Sequence, residues 1–488
     1  MRKFLTLICC VVISQAFAQR ASDRWDLRHC IEHALQFNIS IKQADIQARI
    51  AALQAKQAKY NVYPNVNGSS STGVRFGRSI DPTTNSFSTS QFLYQNFGVN
   101  AGMQIYNYGR LKNSTAMANF NAQAALADVA KISNDISFNV ATYYLQVVAA
   151  KEQITISEVQ IAQTQNQFDI TRKRVDAGVL PELNIAEVEA QLAADSSNYY
   201  TAKGNYEQNL LALRALLNLD VDVLFGIETP KVDDIPIEPI AELQPEIVYT
   251  MALDYQPLQK ANALRIKAAE KNILVTKAQM YPTVTIGGNL STNFSNSFKT
   301  VSGAPVFLGY SPITGAEPII TYSNVNYYVQ NPIYRFNTKS RSFTDLWSGW
   351  GSQMSNNFGQ NVGVSISVPI FNNFSGKIGV QTAKLQLKAA QLQKDQGDLT
   401  LRQDIYTAYT NAMTALQKFN AGKKSVDAAQ KAYDFGTKRF EVGLLSSLDL
   451  ITLQNNLLRA KITQLTTQYD YVFKMKLLEF YKGRGLKL

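Results

Sequence analysis

The sequence predicts an α+β membrane protein, with four bilayer-length β-strands and two very long helical hairpins in each chain. Three observations carry that prediction. The chain repeats itself, long stretches lack proline, and four segments alternate apolar and polar residues with period two.

The N-terminus sets the compartment. Arg2 and Lys3 precede an apolar run from Phe4 to Ile13, and Ala16-Phe17-Ala18 is an A-x-A cleavage pattern. This is a secretory signal peptide over residues 1–18, and its core is too short to span a bilayer as a helix. Cys9 and Cys10 are read as lost with it, because Ile8 and Cys9 stand where a lipid-acceptor cysteine needs a small residue before it. Cys30 is then the only cysteine, so no intramolecular disulfide is expected even in an oxidising compartment. The net charge is +11, and Arg2 and Lys3 supply two of those charges. In an exported protein it reads as a solvated basic surface, and nucleic acid is not an expected partner. No later stretch approaches the roughly 18 apolar residues of a transmembrane helix, so membrane contact must come from strands.

The repeat divides the rest. Ala34-Leu35-Gln36-Phe37 opens a segment that ends Tyr63-Pro64-Asn65-Val66; Ala252-Leu253-Asp254-Tyr255 opens one that ends Tyr281-Pro282-Thr283-Val284. Phe168-Asp169, Lys173, Arg174, Gly178 and Leu183 align without a gap to Tyr433-Asp434, Lys438, Arg439, Gly443 and Leu448. Asn96-Phe97-Gly98 pairs with Asn357-Phe358-Gly359. The halves meet in a connector, about Asp220 to Ala241, marked by Pro230, Pro236 and Pro239. The first repeat is therefore 19–241 and the second 242–488.

Proline costs about 3 kcal/mol inside a helix, so a long gap between prolines permits a long helix. Arg110 to Ala177 has neither proline nor glycine and predicts a helix about 100 Å long. Its counterpart runs from about Lys377 to Val442, interrupted by Gly397, Gly422 and Gly436. Both stop at a glycine, Gly178 and Gly443. Returning helices follow, about Glu182 to Leu219 and Ser447 to Tyr481, and Pro181 and Pro257 suit a helix's first turn.

The first alternating segment sets Val66, Val74 and Phe76 against Asn65, Asn67 and Arg75; the second sets Phe97, Val99, Ala101, Met103 and Ile105 against Asn100 and Gln104. The third runs from Thr283 to Phe298 and the fourth from Phe358 to Ile370. Apolar-out with small polar residues inward is the pattern of a wet-lumen barrel. Four strands cannot close one, and open edges in hydrocarbon leave backbone groups unpaired at several kcal/mol each. Two chains would give a filled eight-stranded barrel; three give twelve strands and a lumen. The outer connections are Gly77 to Gln91 and the longer Lys299 to Ser355, which leaves the helical hairpins on the periplasmic side.

The F-x-x-x-x-K-R-x-x-x-G repeat with its following Leu-Asn or Leu-Asp resembles the TolC family of outer-membrane efflux proteins. So do the Tyr-Pro strand entries and the strand exits Ile105-Tyr106-Asn107 and Ile370-Phe371-Asn372. The resemblance covers the mature chain twice over. It implies a homotrimer with a twelve-stranded barrel in outer-membrane lipid and an α-helical periplasmic barrel. It also implies docking to a periplasmic adaptor (membrane fusion) protein and an inner-membrane transporter of the RND, ABC or MFS class. The chain would be the passive exit duct of an efflux or type I secretion machine for drugs, metals, small molecules or proteins, with no cofactor, metal or catalytic residue.

Val442-Gly443-Leu444 matches the family's adaptor-docking hairpin tip, and Ala177-Gly178-Val179 is its first-half equivalent. Val179, Leu180, Leu444 and Leu445 are expected to be exposed there as apolar contacts. Asp449 matches the first acid of the family's tunnel-entrance ring, where three copies would attract cations. The second acid of that ring is Thr452 here, and an ordinary helix N-terminal acid is an equally simple role for Asp449. Asn184 is its first-half counterpart, with Glu187 behind. Tyr322, Tyr327, Tyr328, Tyr334, Trp347 and Trp350 in the outer loop either cover the mouth or form an interfacial girdle.

Two other readings compete. His29-Cys30-Ile31-Glu32-His33 fits the zinc-peptidase pattern H-x-x-E-H, but the chain has no further histidine to complete a site. A periplasmic coiled-coil scaffold would explain the helices and leave the four alternating strands without a purpose.

Overall fold

The structure, a computed structural model, describes residues 24–80, 87–88, 91–220, 222, 225–228, 237–297, 299–301, 303–312, 320–327 and 330–483. The expected signal peptide, Pro230, Pro236, Phe298 and Tyr328 lie outside the described residues. The chain forms two compact units, one mainly helical and one holding the main sheet (Ala58–Lys112 with Leu274–Gly379). Each unit takes residues from both repeats.

The helices come in pairs of equal length. Helices α1 (Leu27–Phe37) and α2 (Ile39–Tyr60) have 11 and 22 residues. Helix α3 (Arg110–Asp176) has 67 and α4 (Leu183–Leu217) has 35. In the second half α5 (Pro245–Tyr255) and α6 (Pro257–Ala278) again have 11 and 22. The short α7 (Trp350–Asn356) precedes α8 (Ser375–Glu441) and α9 (Ser447–Tyr481), which have 67 and 35. The expected boundaries hold within two residues. Pro257 opens α6, whereas Pro181 lies just outside α4 and not in its first turn.

The glycines of α8 do not interrupt it. They let neighbouring helices approach. A Cβ on Gly422 would stand 3.3 Å from the Gln464 backbone, and one on Gly436 would collide with Leu453. The propensity cost of about 1 kcal/mol each is offset by that close packing.

Two apolar clusters hold the helical unit. The first gathers Leu27, Cys30, Val140, Tyr144, Leu213, Leu217 and Val472. Arg24–Trp25 joins it by pairing parallel with Gly226–Ile227 of the connector. The Tyr144 hydroxyl donates to the Glu228 carbonyl at 2.7 Å. The second cluster gathers Leu243, Val248, Leu401, Ile405, Met475 and Leu478. Beside it the buried Lys476 donates to Glu479 at 2.8 Å, and Glu479 also accepts from the Glu238 backbone N–H at 2.9 Å.

In the sheet unit β1 (Asn65–Arg75), β2 (Phe92–Tyr106), β3 (Thr283–Ser297) and β4 (Gly359–Ser367) make one antiparallel sheet in the order β4-β3-β2-β1. The register sorts the faces. Asn67, Asn100, Asn289 and Asn361 oppose one another in one row across all four strands. The adjacent row, on the other face, is Val66, Ala101, Gly288 and Val362. A hollow of about 910 Å³ lies against the sheet, lined among others by Asn65, Asn100, Gln104, Asn289, Asn361 and Ser365. The opposite face is exposed along β4, where Val362 is 82% exposed and Ile366 68%, and is covered further along, where Phe294 and Leu93 are buried with Leu346.

Strand β2 begins five residues earlier than the alternation predicts, because Phe92 and Leu93 pair with Arg75 and Val74. Strand β4 is shorter than expected, and Phe358 and residues 368–370 fall outside it. Its last pair is Ser367 with Thr283. Pro282 lies beyond that pair on one side and Pro369 on the other, and neither has an N–H to extend the ladder.

Candidate functional site

The two hairpin tips are built alike. At the first, Gly178 takes φ +72. Its N–H reaches the Val175 carbonyl at 2.8 Å, and the Val179 N–H reaches that of Arg174 at 2.8 Å. At the second, Gly443 takes φ +75, its N–H reaches the Phe440 carbonyl at 3.0 Å, and the Leu444 N–H reaches that of Arg439 at 2.8 Å. Both are Schellman closures, in which a left-handed residue turns the chain and satisfies the last carbonyls of the helix. Glycine fits because the left-handed conformation carries no Cβ penalty there.

The apolar residues divide by position. Val179 is 70% exposed, and Val442 and Leu444 are each 68% exposed. Leu180 and Leu445, expected to be exposed, are half-buried. The reason is visible for Leu445, whose side chain lies beside Gly436.

Asp449 sits in the first turn of α9. The Ser446 side chain accepts from the Asp449 N–H at 3.1 Å, and its hydroxyl donates to the Asp449 carboxylate at 2.7 Å. This is a helix-capping arrangement, and it leaves the carboxylate exposed. Thr452 donates its hydroxyl to the Leu448 carbonyl at 2.8 Å. Asn184 does not share the environment of Asp449: its amide donates to the buried Ser447 hydroxyl at 2.6 Å. The two counterparts therefore make different bonds, and within one chain they are not a pair.

Two features escape a reading of the sequence. Arg174 donates to the Phe440 and Glu441 carbonyls at 3.3 and 3.4 Å and lies 5.0 Å from the Phe440 ring centre, so the first tip caps the end of α8. Asp195, 1% exposed, accepts from Thr164 at 2.6 Å, Gln191 at 2.8 Å and Gln160 at 3.3 Å. Gln454 of α9 donates to Thr164 at 3.0 Å, which carries the polar layer into the second hairpin. The one signal for that layer is an acid, Asp195, placed directly after the apolar run Leu192, Ala193 and Ala194.

The histidines of the H-x-x-E-H stretch lie on α1, and both rings pack against Trp25, with centroids at 4.4 Å for His29 and 4.9 Å for His33. Glu32 is paired with Arg28 at 2.8 Å. Burial, then the neighbouring His29, holds His33 below its ordinary value. Burial also pushes the Cys30 thiol up to about 12. Among the described residues no group of three or more His, Cys, Asp or Glu side chains gathers as a metal site.

In the outer loop, the Trp347 ring stacks on Phe294 at 5.7 Å and the Trp350 indole N–H donates to Gln95 at 2.7 Å. Both tryptophans thus lie on the face that carries Thr292 and Phe294, the same face as Leu290 and Ile286. Tyr322 and Tyr334 are exposed.

The family model for outer membrane efflux proteins matches residues 30–219 and 336–481. The toxin and drug export protein A of Aggregatibacter actinomycetemcomitans is 22% identical over 304 residues, 62% of this chain and 64% of that protein. The cation efflux system protein CusC of Escherichia coli is 24% identical over 279 residues, 56% of this chain and 57% of CusC. These matches span less than two thirds of either relative's length. A solved CusC structure superposes with a TM-score of 0.72 at 18% identity, covering 93% of this chain and 91% of that one. The outer membrane protein VceC of Vibrio cholerae gives 0.70 at 17% identity, covering 94% and 96%. The fold is therefore that of the TolC-like channels.

Proposed function

Because this chain belongs to the outer membrane efflux protein family, we propose that it is the outer-membrane exit duct of an efflux or secretion machine, acting as a homotrimer and a passive conduit. The observation that carries this reading is the four-stranded sheet with two open edges, β1 and β4. One of its faces is apolar and exposed along β4, and the other carries a row of amides across all four strands. Strands alternate in direction across the sheet, so β1 of one copy meets β4 of the next antiparallel. Three copies then close an even-numbered barrel of twelve strands around a wet lumen. Each backbone group left unpaired in hydrocarbon would cost several kcal/mol.

The equal lengths of the paired elements support a duplication, with repeats at 19–241 and 242–488. The hairpin tips, with Val179, Val442 and Leu444 outward, are the proposed docking points for a periplasmic adaptor. An inner-membrane transporter of the RND, ABC or MFS class would supply the energy. Asp449, exposed on its Ser446 cap, is the proposed acid of the tunnel-entrance constriction, with Asn184 as the neutral counterpart.

The test is fractionation and electrophoresis of the mature chain. It should be extracted from outer membranes with detergent, migrate as a trimer unheated and as a monomer after boiling, and conduct ions in planar bilayers. A water-soluble monomer without conductance would end the reading.

A further inference from the structure

We infer that Arg75 sets the charge preference of the outer mouth, where three copies of its guanidinium face the lumen as a ring that attracts anions and repels cations. The inference rests on the trimeric barrel proposed above. Strands β1, β2, β3 and β4 hold 11, 15, 15 and 9 residues, and Arg75 is the only Asp, Glu, Lys or Arg among them. A face turned to lipid excludes charge, but a wet lumen tolerates it. The lumen face of these strands is nevertheless neutral except at this one position.

Register puts Arg75 on the amide face. It lies eight residues after Asn67, and β1 pairs with β2 without a shift from Asn65 to Arg75, so alternation brings both residues to one side. Arg75 is also the last residue of β1, directly before the outer connection. Its guanidinium carbon lies 5.8 Å from the Phe92 ring centre and 5.6 Å from that of Tyr94, within the roughly 6 Å at which an aromatic face attracts a cation. Gly73 makes room for this arrangement. It stands directly opposite Tyr94, and a Cβ there would lie 2.7 Å from the Tyr94 hydroxyl. Arg75 is exposed, and it takes part in none of the ion pairs among the described residues. The rings hold the guanidinium in place without cancelling its charge.

A guanidinium stays charged at any working pH, and its planar fork matches carboxylate and phosphate groups. Three of them on one rim favour the exit of cargo that carries such groups and oppose the entry of cations from the medium. Their field reaches about 10 Å at about 0.1 M salt and about 3 Å at about 1 M, so the preference weakens as salt rises. The proposed tunnel-entrance acid, Asp449, has the opposite sign, so the test must act on Arg75 alone.

That test is Arg75→Cys in the full-length chain, recorded in planar bilayers under a gradient of potassium chloride. Its reversal potential should shift towards cation selectivity relative to the unaltered protein. A cationic methanethiosulfonate reagent added from the outer side should shift it back, and an anionic one should shift it further towards cations. Both reagents act on channels already assembled, which separates charge from folding. Cys30 is fully buried and does not compete. Arg75→Gln, recorded alongside, should show the same first shift, whereas Arg75→Lys keeps the charge and should keep the original potential. Every shift should shrink at high salt. Conducting channels whose reversal potential is unmoved by Arg75→Cys, Arg75→Gln and both reagents would overturn the ring and leave Arg75 as a support for Phe92 and Tyr94. An unaltered protein that forms no conducting trimer would overturn the duct reading itself.

Discussion

His33 shows how much a single side chain can depend on what surrounds it. Its ring stacks on Phe37 at 4.5 Å and packs against Trp25. Burial and the adjacent His29 lower its proton affinity in the folded chain below the ordinary value of 6.5. The unfolded chain then binds the proton more readily, so its contribution to stability is complete above pH 6.5 and is lost as the pH falls through the folded value. His33→Phe should flatten the decline in thermal stability below that pH, as measured by melting the detergent-solubilised protein at stepped pH. An unchanged slope would remove His33 as its source. Nothing in H-x-x-E-H as a motif reveals this role, because the motif specifies spacing and not the tryptophan that both rings meet.

At the level of elements, the tips are legible in the sequence and their neighbours are not. A glycine ending a proline-free run marks a helix C-terminus, and both glycines do take the left-handed conformation. Open space surrounds Gly443, so a side chain there meets no clash and only the backbone resists it. Gly443→Val should strain the turn by about 1–3 kcal/mol. If the tip docks an adaptor, export should be lost while the heat-modifiable trimer persists. Normal export from a correctly assembled variant would remove the tip from the mechanism. By contrast, the glycines of α8 look like interruptions in the sequence, because propensity counts only the helix they belong to. Gly422 and Gly436 are explained by Gln464 and Leu453, residues of another helix.

For the whole molecule, the two sheet faces carry the functional claim. Val362 and Asn361 are neighbours in β4 and point to opposite faces. Val362→Arg should destabilise the inserted protein by about 2–4 kcal/mol if that face meets lipid near the midplane. Asn361→Arg should leave folding intact and shift the reversal potential towards anion selectivity in single-channel recordings. Equal tolerance of both substitutions would contradict the assignment of faces.

The sequence by itself determined the long helices, the four strands, the repeat and the sidedness of the sheet, because each depends on local periodicity and on where proline and glycine stand. Only the tertiary structure decided which residues meet across elements. Arg174 on the end of α8, Asp195 held by Thr164 and Gln454 bonded to that threonine join residues far apart in the chain. Such contacts follow from how helices pack side by side, and no spacing along one helix encodes the partner on another.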